Sequence, residues 1–217
     1  MSIGIVVAMA ESVLIVADGR QSDALTVITD DAQKITELTE SLAVIEFGAV
    51  VASATVVKEL KVNRQVLISA GELIGFLRRS VQNAGVSLVE SITPDSTDMS
   101  RIKVGLLAGG IDADGVYVAG ALHGHGMSEP WTVLNRLNPV PHFLVLGGET
   151  CRAYDYFERE LRHAYQVSAG DQATFFPLAK RAAKRTISYA AGHDRTIGGR
   201  VRYCLIQQNQ PTRRGVL

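Results

Sequence analysis

Apolar residues come in two rhythms along the chain. Short β-branched runs at 3–9 (IGIVVAM) and 13–17 (VLIVA) flank Ala10 to Ser12 and predict a hairpin buried on at least one face. TVIT at 26–29 predicts a short extended piece, and SLAVIEF at 41–47 a third main strand that Gly48 breaks. The rhythm then turns helical. Residues 49–62 have helical character despite their Val and Thr content, and 72–83 place Leu73, Phe76, Leu77 and Val81 on one stripe. The polar stretch 92–100, with Pro94, predicts a loop. Strands follow at 104–108 and 116–122, joined through GGIDADG, then a Gly-rich loop at 123–130. A further strand at 142–146 is stopped by Gly147 and Gly148. Long helices at 149–165 and 173–191, a strand at 201–207 and a loose polar tail from Gln208 complete the chain.

Strands grouped between pairs of helices argue against a parallel βαβ sheet. They suit an α+β fold in which two antiparallel sheets pack together with helices outside. No linker or repeat divides the 217 residues, so one domain spanning 1–217 is expected.

Composition narrows the function classes. Lys and Arg number 22, as do Asp and Glu, which gives no overall bias toward nucleic acid or an anionic membrane. Lys180, Arg181, Lys184 and Arg185 at helical spacing read as a solvated face. Cys151 and Cys204 make neither a metal spacing nor a disulfide framework. The start of the chain has no basic residues ahead of its apolar run, and Glu11 interrupts it, a poor signal peptide. No run approaches the ~18 apolar residues of a membrane span. A cytoplasmic protein is expected. His123, His125 and His142 lack a carboxylate or Cys framework, so no metal or other cofactor is expected.

The chemistry concentrates near the start. Ser2 follows Met1 directly, Asp18 comes sixteen residues later, Lys34 another sixteen, and Gly48 fourteen after that. Taken singly these are a common second residue, a turn former, a solvated lysine and a strand breaker. Their joint spacing supports more. Removal of Met1 exposes the Ser2 α-amine, which titrates near ~7.7 to 8.0 and can take the proton of the adjacent hydroxyl. Lys34 would favour the alkoxide as it forms, and Asp18 is the natural partner of a buried ammonium. Gly48, at a strand-to-helix junction, can offer its N–H to a developing oxyanion.

With ADGRQS at 17–22 and DAQKI at 31–35, residues 2–48 resemble the amino-terminal part of proteasome β-type subunits, including the bacterial HslV-type peptidase. Without a gap, Ser2, Asp18, Lys34 and Gly48 fall on the family's nucleophile, aspartate, lysine and oxyanion glycine. Ser22 falls on the residue whose backbone pairs with substrate. LLAGGIDADGVYV resembles the family's central hairpin. FLVLGG and HDRTIGG resemble two segments that usually carry serines near the site. Here Gly148 and Ile197 stand in their places, Asp194 keeps the aspartate, and Thr196 or Thr150 could supply a hydroxyl. The nucleophile is Ser rather than Thr, which keeps hydroxyl and amine but loses the rotamer-restricting methyl.

The resemblance implies a four-layer α/β/β/α sandwich of the amino-terminal nucleophile (Ntn) hydrolase type. It implies a peptidase acting on peptides or unfolded protein inside a homo-oligomeric double ring, often fed by an ATPase unfoldase. It also implies a first substrate pocket lined by Gln21, Ala32, Thr36, Glu46, Val50 and Ala54. Glu46 then either faces solvent or a neighbouring subunit, or attracts a basic side chain. Rival readings are a non-catalytic ring subunit of the same fold, a small-molecule amidase or acylase of the same chemistry, and an unrelated α+β binding module.

Overall fold

The computed structural model describes residues 2–23, 26–65, 69–91, 103–124, 127–134, 140–147 and 151–217. Its centre is the hairpin of β1 (Gly4–Met9) and β2 (Ser12–Ala17), in which every residue is buried. Hydrogen-bonded neighbours on either side extend it to a five-stranded antiparallel sheet. β10 (His142–Leu146) pairs with β1, and β11 (Arg202–Gln207) with β2. β12 (Gln210–Val216) lies beyond β11.

A second five-stranded antiparallel sheet follows chain order: β5 (Ile35–Thr39), β6 (Leu42–Gly48), β7 (Lys103–Asp112), β8 (Gly115–Gly124) and β9 (Met127–Leu134). A small pair, β3 (Gln21–Asp23) and β4 (Thr26–Thr29), stands apart from both. The helices are α1 (Val50–Asn63), α2 (Ala70–Ser91), α3 (Ala153–Ser168) and α4 (Gln172–Ala191). The class is α+β with antiparallel sheets.

The period of two along a strand explains why the first hairpin is apolar without interruption. Val6, Ala8, Val13 and Ile15 turn toward Ile45, Leu107 and Val118 of the second sheet. The alternate residues Ile5, Val7, Leu14 and Val16 pack on Phe157, Phe175 and Ala183 of α3 and α4. The far side of the second sheet, through Val44, Leu106 and Ala119, meets Val56 and Leu60 of α1 and Leu73 and Leu77 of α2. Both strands of the hairpin are thus buried on two faces, and each needs side chains that tolerate no water on either.

Several elements differ from their expected extents. The tail from Gln208 is not loose: β12 pairs with β11 from Arg202 opposite Val216 to Gln207 opposite Gln210. It is a mostly exposed edge strand containing Pro211, Arg213 and Arg214, so no apolar alternation marks it. The expected loop at 123–130 is largely strand, with β8 reaching Gly124 and β9 starting at Met127; residues 125 and 126 lie outside the described residues. Pro130 is tolerated because β9 is an edge strand. GGIDADG shortens to a turn at Ala113 and Asp114, since its first two glycines belong to β7 and its last to β8. α2 runs past both expected ends. The loop at 92–100, Gly148 and Thr150 lie outside the described residues.

Phe157 is fully buried and meets the Phe143 ring edge-on at 5.4 Å. Truncation by Phe157→Ala removes the centre of the contact between α3 and the first sheet. It is expected to destabilise the protein by about 3–5 kcal/mol, read as a lower denaturant midpoint at unchanged slope.

Candidate active site

The register of the first hairpin brings the chemistry together. Gly4 lies opposite Ala17, so Ser2 and Ile3, before β1, run beside Asp18, just after β2. The Ile3 N–H donates to Asp18 Oδ1 at 3.0 Å, and the Asp18 N–H donates to the Ile3 carbonyl at 3.2 Å. Lys34 directly precedes β5 and is docked on β6 by the Glu46 N–H, which donates to its carbonyl at 3.3 Å. From there the Lys34 Nζ donates to Asp18 Oδ1 at 2.7 Å and to Ser2 Oγ at 2.9 Å. A third donor, the Gly198 N–H, reaches Asp18 Oδ2 at 3.1 Å.

The Asp18 side chain has no solvent exposure, and that of Lys34 only 8%. Burial is the dominant influence on both. It pushes the Asp18 carboxyl up and the Lys34 ammonium down, against their mutual attraction and, for Asp18, against the two backbone N–H groups. The lysine is held in one position, next to a hydroxyl.

Gly48 ends β6 at φ 79°, and a Cβ there would stand 1.8 Å from the Lys103 carbonyl oxygen, so no other residue fits. The Ala49 N–H is used by Lys103 O and the Glu46 N–H by Lys34 O. By the alternation of an antiparallel strand, the Gly48 N–H faces the Lys34 edge, beyond the paired part of β5. Gly147 at φ 89° packs just as tightly on the other side, where a Cβ would meet the Ser2 carbonyl oxygen.

A cavity of about 170 Å³ opens beside Ser2. Of the residues expected around it, Gln21, Ser22, Ala32, Lys34, Glu46, Gly48 and Val50 line it; Thr36 and Ala54 do not. Arg20, Gln33, Phe47 and Ser53 complete the wall. Larger clefts lie elsewhere, one of about 530 Å³ by Glu11 and Asp171 and one of about 730 Å³ by Glu37 and Gln210, but neither is lined by Ser2 or Lys34.

Asp194 is placed differently from Asp18. Its Oδ1 accepts from the Thr196 N–H at 2.8 Å and the Thr196 hydroxyl at 2.6 Å, which shapes the loop after α4. The Thr196 hydroxyl is spent there, and Ile197 is fully buried in the core with α3 and α4. This loop reaches the site through its backbone, at Gly198. Arg20, which the spacing argument passed over, holds it in place. Its guanidinium is paired with Asp30 at 2.6 Å and donates to the carbonyls of Arg195 and Ile197. The signal for Arg20 lay in its position two residues after Asp18.

His123 and His142 sit on different strands, and His125 lies outside the described residues. Among the described residues no three His, Cys, Asp or Glu side chains converge to hold a metal ion. Nor is any helix of the described residues long and apolar enough to cross a membrane. No protein-family model matches this chain, and no curated protein matches it either.

Replacing Lys34 by Met would leave the Asp18 carboxylate buried without its counter-ion. We expect a loss of about 3–5 kcal/mol of stability. The double variant Lys34→Met with Asp18→Asn should recover part of it, and denaturant melts of the four proteins measure that coupling.

Proposed function

We propose that this chain is an N-terminal nucleophile hydrolase of the proteasome β type that cleaves peptide bonds, with Ser2 as nucleophile. The observation that carries this reading is the Lys34 ammonium, 2.9 Å from the Ser2 hydroxyl and anchored at 2.7 Å by the buried Asp18. The two facing sheets, each backed by two helices, agree with the four-layer α/β/β/α sandwich of that class.

In the proposed reaction the Met1–Ser2 bond is first cleaved, so that the Ser2 nitrogen becomes a free amine. The Ser2 Oγ attacks the scissile carbonyl and passes its proton to that amine. Lys34 stabilises the developing alkoxide, and the Gly48 N–H the carbonyl oxyanion, a donor of this kind being worth ~2.7–4 kcal/mol. The amine then protonates the departing nitrogen, leaving an ester on Ser2. Water, deprotonated by the same amine, attacks the ester and frees the acid. Asp18 takes no proton; it keeps Lys34 charged and in place. Gln21 and Ser22, on one rim of the cavity, and Val50, on the other, would flank an extended peptide. Assembly into a homo-oligomeric ring, served by an ATPase unfoldase, belongs to the same proposal.

The test combines mass spectrometry with turnover. Intact mass should show loss of Met1. A peptide epoxyketone, which reacts with hydroxyl and amine together, should add one equivalent to the wild type and none to Ser2→Ala. The same substitution should lower peptide hydrolysis at least about a thousandfold. A retained Met1, or a Ser2→Ala protein as active as the wild type, overturns the reading.

A further inference from the structure

Around the Ser2 cavity, charges do not cancel. Lys34 has Asp18 at 2.7 Å, and Arg20 has Asp30 at 2.6 Å. Glu46 is the remaining charge. It stands half-buried on β6, facing the first turn of α1, and among the described residues its side chain takes one hydrogen bond, from the Ser53 hydroxyl to Oε2 at 3.3 Å. That hydroxyl has an alternative acceptor, the Val50 carbonyl at 3.2 Å, so it can turn away without being orphaned. Among the described residues no ion pair engages Glu46. Lys34 and Lys61 act on it only from beyond ion-pair distance. Ser22 also lines this cavity, and its Oγ, withdrawn from water, has no hydrogen-bond partner among the described residues.

A charge withdrawn from water is costly unless it is paired. The two cationic side chains nearby are each paired with their own carboxylates, so Glu46 is the charged side chain on the cavity wall without an ion-pair partner among the described residues. The cavity volume of about 170 Å³ lies below the ~300 Å³ at which pockets for drug-sized molecules begin, and suits a single side chain.

We propose that this cavity binds a cationic side chain, a guanidinium or alkylammonium, with Glu46 as its counter-ion. As a statement about substrate, this rests on Ser2 being the nucleophile: the acyl residue that Ser2 attacks is then Arg or Lys. As a statement about binding, it stands without catalysis.

The experiment therefore measures binding first. Fluorescence titration of the full chain with 4-aminobenzamidine is compared with its neutral isostere, 4-aminobenzamide. The wild type should prefer the amidine at least tenfold. Glu46→Gln should lose at least tenfold in amidine affinity while leaving that of the amide unchanged. Equal affinity of the wild type for the two ligands, no binding of the amidine, or Glu46→Gln binding it undiminished would overturn the proposal. The wild-type comparison decides even if Glu46→Gln fails to fold. Peptide turnover separates the two ideas. Amidine binding without any hydrolysis removes the peptidase reading and leaves the cationic site. Hydrolysis that favours Leu over Arg and Lys before the scissile bond removes the cationic site alone.

Discussion

The ion pair between Lys34 and Asp18 is the contact on which the organisation of this end of the molecule depends. It joins three segments that the chain delivers separately: the start of β1, the end of β2 and the approach to β5. Two charges shut away from water are tolerable only because their mutual attraction is supplemented by the N–H groups of Ile3 and Gly198 and by the Ser2 hydroxyl. The two N–H groups come from distant parts of the chain, and the hydroxyl accepts from Lys34. The pair therefore acts as a positional constraint: the carboxylate is fixed by three donors, and the ammonium in turn holds the serine hydroxyl in one place.

Around that pair the structure separates two kinds of polar group. Asp18, Lys34, Arg20 and Asp30 satisfy one another and make a rigid frame. Glu46 and Ser22 line the cavity and, among the described residues, keep hydrogen-bonding capacity unmet. The frame is what a reacting group needs, because geometry there must not relax. The incompletely satisfied groups are what a ligand needs, because they leave interactions for it to make.

Much of this was legible in the sequence, for reasons particular to each element. Continuous apolar runs at β1 and β2 showed strands buried on two faces, and the sixteen-residue interval from Ser2 to Asp18 is the length of one hairpin with its flanks. The spacing of Asp18, Lys34 and Gly48 carried over into contact or adjacency. What escaped notice had no periodic signal. β12 is an edge strand whose partner supplies its order, and β9 hides behind a proline and glycines. Asp194 matched a motif by type, yet its carboxylate is engaged by its own loop; the same loop touches Asp18 through a backbone N–H, which no side-chain pattern can announce. Arg20 acts by holding carbonyls, an equally silent role.

The Gly198 contact also bears on biosynthesis. On the ribosome the hairpin and Lys34 emerge early, while the loop that Arg20 clamps emerges only after almost two hundred residues have been made. Until then the Asp18 carboxylate lacks one of its backbone donors and the first sheet lacks β11. The arrangement of Asp18, Lys34 and Ser2 is therefore completed only late in synthesis, when the last sixth of the chain docks on the first hairpin.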